Sequence, residues 1–285
     1  MHKKTISARW RTPSLLIIGA MKAGTTSLYF DLQQIPRLSF PLGKEPNILA
    51  EAADELTAFE RYTTIYRGIQ EGAFLVDAST AYSKLPDYPD VASLAAKVCE
   101  NARIVYMVRD PVKRALSHYR HDFMLGLESR SIDEALLNGP RYINYSDYGY
   151  QLNSWIENFG QESVRVIKME TYAADRKRTL ESLCAWLGLP TPEKWRGLDK
   201  VFNKADAKRE LPHLLERVLA SALFQKKVRP LFSPRMRVAL KQIFPASKAS
   251  PRVEPDYRTI AHLESILHPR YEDFCHRNAA LFLIR

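Results

Sequence analysis

The sequence predicts an α/β fold of the P-loop-like kind, a mostly parallel central sheet flanked by helices on both faces. Three observations carry this expectation. An apolar run, Leu15 to Ile18, is closed by a glycine loop and followed by a stripe at helical spacing. Two later apolar runs, "AFLVD" (73–77) and "RIVYMVRD" (103–110), end in polar residues. Segments of helical periodicity separate these runs, and alternating strands and helices build parallel sheets covered on both faces.

The elements follow in order. After the first strand, Leu28, Leu32 and Ile35 fall on one helical face. Val91, Leu94, Ala95 and Val98 mark a helix between the second and third strands. Asp110 before Pro111 is an N-cap followed by proline at the first helical position, so 112–121 should be helical. Leu152, Trp155, Ile156 and Phe159 form another stripe, stopped by Gly160. "SVRVIK" (163–168) is a further strand, and Leu180, Leu183, Cys184 and Leu187 a further helix, ended by Gly188 and Pro190. "DYRTIAHLESILHPRYEDF" near the end reads as a closing helix. Parallel sheets bind ligands at the carboxyl ends of their strands, which places the Gly19 loop, Asp77 and Arg109 on one edge.

With 285 residues and 46% hydrophobic content, residues 1–285 are expected to form one domain. The net charge of +10 favours anionic partners: nucleotides, acidic glycans, nucleic acid or an anionic membrane. Segment 211–252 alone contributes +8, and prolines at 230, 234, 245 and 251 interrupt it, so it reads as a basic lid or surface of short helices and bends. Its Phe224, Phe232 and Phe244 suit peripheral contact with a membrane. Cys99, Cys184 and Cys275 are odd in number and widely spaced, the pattern of buried thiols in a reducing compartment. The basic start leads to an apolar run too short for a signal peptide, and no stretch is long and apolar enough to span a bilayer. A cytoplasmic protein is expected.

The loop after the first strand carries the chemistry. Gly19 and Gly24 have the separation of the glycines in G-x-x-x-x-G-K-[ST], and Thr25 and Thr26 supply hydroxyls. Such a loop offers successive N–H groups and a helix dipole to an anion. The lysine, however, is Lys22, inside the loop instead of after the second glycine. A kinase-type site also needs an acid at a neighbouring strand end to hold magnesium. "IVYMVRD" instead offers Arg109, although Asp77 could take the metal role. A cation there suggests a ligand with a second phosphate, bound without a metal.

"GAMKAGTTSL" together with "RIVYMVRDPVKRALSHY" resembles the sulfotransferase superfamily, whose donor is 3′-phosphoadenosine 5′-phosphosulfate (PAPS) and whose nucleotide product is adenosine 3′,5′-bisphosphate (PAP). The family's K-x-G-T-[TS] is matched by Lys22, Gly24, Thr25 and Thr26. Its R-[DN]-P followed by a serine is matched by Arg109, Asp110, Pro111 and Ser117. The resemblance implies that Lys22, Ala23, Gly24, Thr25, Thr26 and Ser27 hold the 5′-phosphosulfate, while Arg109 and Ser117 hold the 3′-phosphate. Lys22 would also stabilise the charge that develops on the leaving oxygen. A K-E pair carries the base in heparan-type enzymes, so Lys44 and Glu45 become candidates, Glu45 as base and Lys44 near the sulfuryl group. "VDASTAY" resembles the acceptor-side E-x-S-P-x-Y, with Asp77, Ser79 and Tyr82 shaping the acceptor site and Thr80 in place of proline. Lys208 and Arg209 match a late basic loop over the donor. His118 and His121, on the helix after Arg109, are alternative bases, against which stands an ordinary role in helix packing or on the helix surface.

The acceptor is expected to present a hydroxyl or amine, in a glycan or glycolipid. The competing readings are a small-molecule kinase using magnesium-ATP and a non-catalytic basic module for membrane or nucleic acid. No nucleic-acid motif is present, and nucleic acid is not an expected partner.

Overall fold

The computed structural model describes residues 10–198 and 254–284. Lys208, Arg209, the three phenylalanines and the basic segment 211–252 lie outside the described residues, and helices are numbered over the described ones.

Leu15–Gly19 (β1) is buried at every residue, and Arg103–Val108 (β4) at all but its first. Alternate residues of a strand face opposite sides of a sheet, so continuous burial means that both faces are covered. Phe74–Ala78 (β3), Val164–Lys168 (β5) and the two-residue Leu38–Ser39 (β2) complete the sheet. All neighbouring pairs are parallel, in the order β2-β3-β1-β4-β5. β1 thus lies at the centre, and the chain leaves it first toward one edge and later, through β4 and β5, toward the other. This reversal is where parallel sheets open a crevice at their carboxyl ends.

Helix α1 (Thr25–Leu32) follows β1 directly. It is shorter than the sequence stripe suggests: Ile35 is buried, but in a turn in which its N–H donates to Leu32 O at 3.0 Å. At its far end, buried Asp31 accepts from both Nη2 and Nε of Arg176 and from the Tyr172 hydroxyl, which fixes the helix behind the loop. Ile48–Glu51 (α2) and Glu55–Ile65 (α3) lie between β2 and β3 and were not foreseen; Asp54 caps α3 by accepting from Thr57 N at 2.8 Å. The expected helix at 91–98 is α4, Val91–Val98.

Asp110 is an N-cap, its Oδ1 accepting from Lys113 N at 2.8 Å, and Pro111 opens α5, Pro111–Met124. Ile132–Asn138 (α6) and Pro140–Asn144 (α7) pack with α5 and the closing helix around a second apolar cluster that includes Val112, Leu136, Tyr142 and Leu263. Tyr148–Phe159 (α8) stops at Gly160, whose φ of 75° suits glycine. Met169–Ala174 (α9), Arg176–Leu187 (α10) and the closing helix Tyr257–Arg277 (α11) complete the described chain.

Candidate active site

At the end of β1 the loop Ala20–Gly24 turns into α1. Ala20 N–H donates to Met107 O at 2.7 Å, which ties the loop to β4. Lys22 and Gly24 take left-handed backbone, with φ of 72° and 91°. Gly24 gives α1 no side-chain cap, so the N–H groups of Thr25 and Thr26 point out of the helix start with no intrahelical carbonyl to receive them. Ala23 and Thr25 are buried, whereas Lys22, Thr26 and Ser27 are half-buried at the surface of the crevice. Gly19 is required for a different reason. A Cβ there would stand 2.0 Å from Ser83 Oγ, which donates to Ile18 O at 2.8 Å and seats the 3-10 turn Thr80–Ser83 on β1.

A second loop, residues 40–47, folds over this helix start. Lys44 Nζ lies 3.2 Å from Thr26 Oγ1, 3.5 Å from Thr25 Oγ1 and 2.8 Å from Glu45 Oε1. The Lys-Glu pair is therefore built onto the phosphate-type loop. The other oxygen of Glu45 accepts from Thr80 Oγ1 at 3.2 Å. Glu45 and Asn47 are both left-handed, with φ of 60° and 53°, a conformation that costs roughly 1–2 kcal/mol for a residue with a Cβ. Two bonds hold it: Glu45 N–H to Ala78 O at 3.1 Å, and Asn47 N–H to Ser79 Oγ at 3.1 Å.

Beneath that loop, Asp77 is fully buried. Its Oδ1 accepts from Ser79 Oγ at 2.6 Å, and its Oδ2 accepts from Tyr82 at 2.6 Å and Tyr62 at 2.8 Å. Burial pushes the Asp77 carboxyl up, and the three hydroxyls work against that rise. Tyr82 OH in turn accepts from Leu49 N–H at 3.2 Å. Asp77, Ser79 and Tyr82 thus support the main chain at residues 47 and 49 from below. Tyr62, on α3, is the member of this set that the sequence did not single out.

Arg109, just past β4, is half-buried, and its Nη1 lies 3.4 Å from Lys22 O. Its main chain is held on both sides: its N–H donates to Tyr148 OH at 3.2 Å, and the same hydroxyl donates to Arg109 O at 2.8 Å. Ser117 is half-buried two turns into α5. His118 faces the other way. It is buried, with Nε2 3.2 Å from Asp122 Oδ2 and Nδ1 3.3 Å from Arg114 Nη2, and its ring stacks on Tyr145. Burial, helped by the Arg114 and Lys84 charges and opposed by Asp122, pushes the imidazole down to about 4. It is a packed neutral histidine.

The crevice therefore gathers a helix start, the Lys44 ammonium, the Arg109 guanidinium and one carboxylate, Glu45. Such an arrangement can take an anionic ligand and sets a carboxylate beside it. Among the described residues no cluster of three or more His, Cys, Asp or Glu is placed to hold a metal ion.

The chain belongs to the sulfotransferase family, whose model matches residues 45–193, more than half of the chain. Enzymes of this family generally take PAPS as donor. The bifunctional heparan sulfate N-deacetylase/N-sulfotransferase 1 of Caenorhabditis briggsae is 26% identical over 206 residues, covering 62% of this chain and 23% of that protein. The membrane-associated sulfotransferase kil1 of Dictyostelium discoideum is 28% identical over 108 residues, covering 38% of this chain and 22% of that protein. The chain thus spans under a quarter of the length of these curated relatives. A sulfotransferase from Alicyclobacillus acidocaldarius shares the fold, with a TM-score of 0.55, 24% identity, and coverage of 90% of this chain and 96% of that one. No described helix is long and apolar enough to cross a membrane.

Proposed function

We propose that the protein transfers a sulfuryl group from PAPS to a hydroxyl or amine of a glycan, without a metal ion. The observation that carries this reading is the seating of Lys44, paired with Glu45, against Thr25 and Thr26, at the mouth of a loop whose other flank carries Arg109. The residues suit a ligand with two separate anionic ends. Lys22, Ala23, Gly24, Thr25, Thr26 and Ser27 hold the 5′ end, and Arg109 with Ser117 holds the 3′-phosphate. A cation replaces the acid that a magnesium site would use at the end of β4.

The donor supplies a sulfuryl group joined to a good leaving phosphate. A new bond forms between sulfur and the acceptor oxygen or nitrogen, the bridging S–O bond breaks, and its electron pair leaves with PAP. Glu45 takes the acceptor proton. Lys44, already 2.8 Å from that carboxylate, stabilises charge on the sulfuryl oxygens, and Lys22 stabilises charge on the leaving oxygen. Asp77, Ser79 and Tyr82 hold the loop that aims Glu45. The glycan acceptor draws support from the relative named for heparan sulfate and from the net charge of +10. The basic segment 211–252 is assigned the attraction of that acceptor or of an anionic membrane surface.

The test is transfer of radiolabelled sulfuryl from PAPS to an N-deacetylated heparosan oligosaccharide, which offers both amines and hydroxyls, in the presence of a chelator. Label in the oligosaccharide, lost in Lys44→Ala, is expected. Failure of that transfer together with transfer of the γ-phosphate of magnesium-ATP would establish a kinase instead.

A further inference from the structure

We propose that Tyr148, assisted by Glu170, is a positioning residue for the 3′-phosphate clamp: it sets the direction of Arg109 and through it the preference for a nucleotide phosphorylated at the 3′ position. This inference rests on the proposed donor site. β4 ends at Val108, so Arg109 lies beyond the last strand residue, where a peptide is ordinarily free to rotate. Here one phenol closes both sides of the residue, accepting from its N–H and donating to its carbonyl. The next peptide is held as well: Glu170 Oε1 accepts from Asp110 N–H at 3.1 Å.

Tyr148 is itself rigid. It is buried, packed edge-on against Tyr106 and Tyr271 with ring centroids 5.8 and 5.7 Å apart, and it sits in the first turn of α8. A ring anchored in the core thus fixes a main-chain segment at the rim, and the guanidinium that it carries rests against Lys22 O. Neither Tyr148 nor Glu170 extends a side chain to the ligand in this account. Their effect is confined to where Arg109 points, which a small displacement would spoil.

The measurement is calorimetric affinity for PAP and for adenosine 5′-phosphate, two nucleotides that differ only in the 3′-phosphate. The ratio of the two affinities isolates the clamp. In Tyr148→Phe the ratio falls about tenfold with the affinity for adenosine 5′-phosphate unchanged, the effect of losing roughly one well-placed hydrogen-bonding group. Glu170→Ala, at an exposed position that leaves folding intact, lowers the ratio in the same sense, and Glu170→Gln restores it because an amide oxygen still accepts from Asp110 N–H. An unchanged ratio in both Tyr148→Phe and Glu170→Ala, including one left unchanged by parallel loss of both ligands, overturns the proposal. A parent protein with no preference for PAP would overturn the donor assignment itself, which is a separate outcome.

Discussion

Arg109 Nη1 stands 3.4 Å from the carbonyl oxygen of Lys22, so the cation that follows β4 leans on the loop that follows β1. Two residues 87 positions apart are thereby joined across the centre of the sheet, at the point where the strand order reverses. This arrangement suits the proposed ligand, which carries anionic groups at both ends. The account of donor binding depends on this adjacency.

Glu45 is the expected base, held by Lys44 on one oxygen and Thr80 on the other. Glu45→Gln should lower kcat about 10²- to 10⁴-fold while leaving PAP affinity near that of the parent, because the amide keeps the loop contacts but takes no proton. Sulfuryl transfer and PAP titration on the same preparation check this. Unchanged turnover would remove Glu45 from the role.

Asp77 collects three hydroxyls in a fully buried position. Asp77→Ala should therefore lower stability by about 3 kcal/mol, since Ser79, Tyr62 and Tyr82 lose a shared acceptor. Denaturant unfolding gives the value. Turnover should fall further than the folded fraction does, because Asn47 and Leu49 lose their support; a stability loss with full activity per folded molecule would show that the network does not aim Glu45.

His118 predicts a pH dependence of stability. Its folded value, about 4, lies below its ordinary value of 6.5, so between those limits the unfolded chain binds more protons than the native one. Stability should rise with pH across that window and be lost as pH falls through it, by on the order of 2–3 kcal/mol. The neighbouring carboxyls are separable. Asp122 is held below its ordinary range despite burial, chiefly by His118, and Arg130 draws Glu128 down to about 2, so both act below the upper part of the window. Unfolding midpoints at pH 5 and 7 should differ in the parent and converge in His118→Asn. An equal difference in both proteins would assign the effect elsewhere.

What the sequence disclosed was local in the chain. A strand, a glycine loop and a helix occupy 18 consecutive residues, and Arg109-Asp110-Pro111 declares a strand end, a cap and a helix start within three. Lys44-Glu45 was found through the resemblance, and its loop does reach Thr25 and Thr26. Helix α3 stayed hidden because only Ala58 and Tyr62 of its eleven residues are buried, too few to make a stripe. β2 is two residues long and leaves no period. Tyr148 is one of 14 tyrosines, and nothing local marks the one whose hydroxyl meets a backbone 39 residues away. Thr80 did carry a signal, a hydroxyl where the family pattern has proline, and the structure gives that hydroxyl to Glu45.

The most direct measurement of the central claim is calorimetric binding of PAP and of ATP, each with and without magnesium, to the parent, Lys22→Ala and Arg109→Ala proteins. The account predicts tight PAP binding that ignores magnesium and weakens at least tenfold in each variant, the loss expected when a charged hydrogen-bond partner of a phosphate is removed. Preference for magnesium-ATP, or PAP binding indifferent to Arg109→Ala, would contradict it.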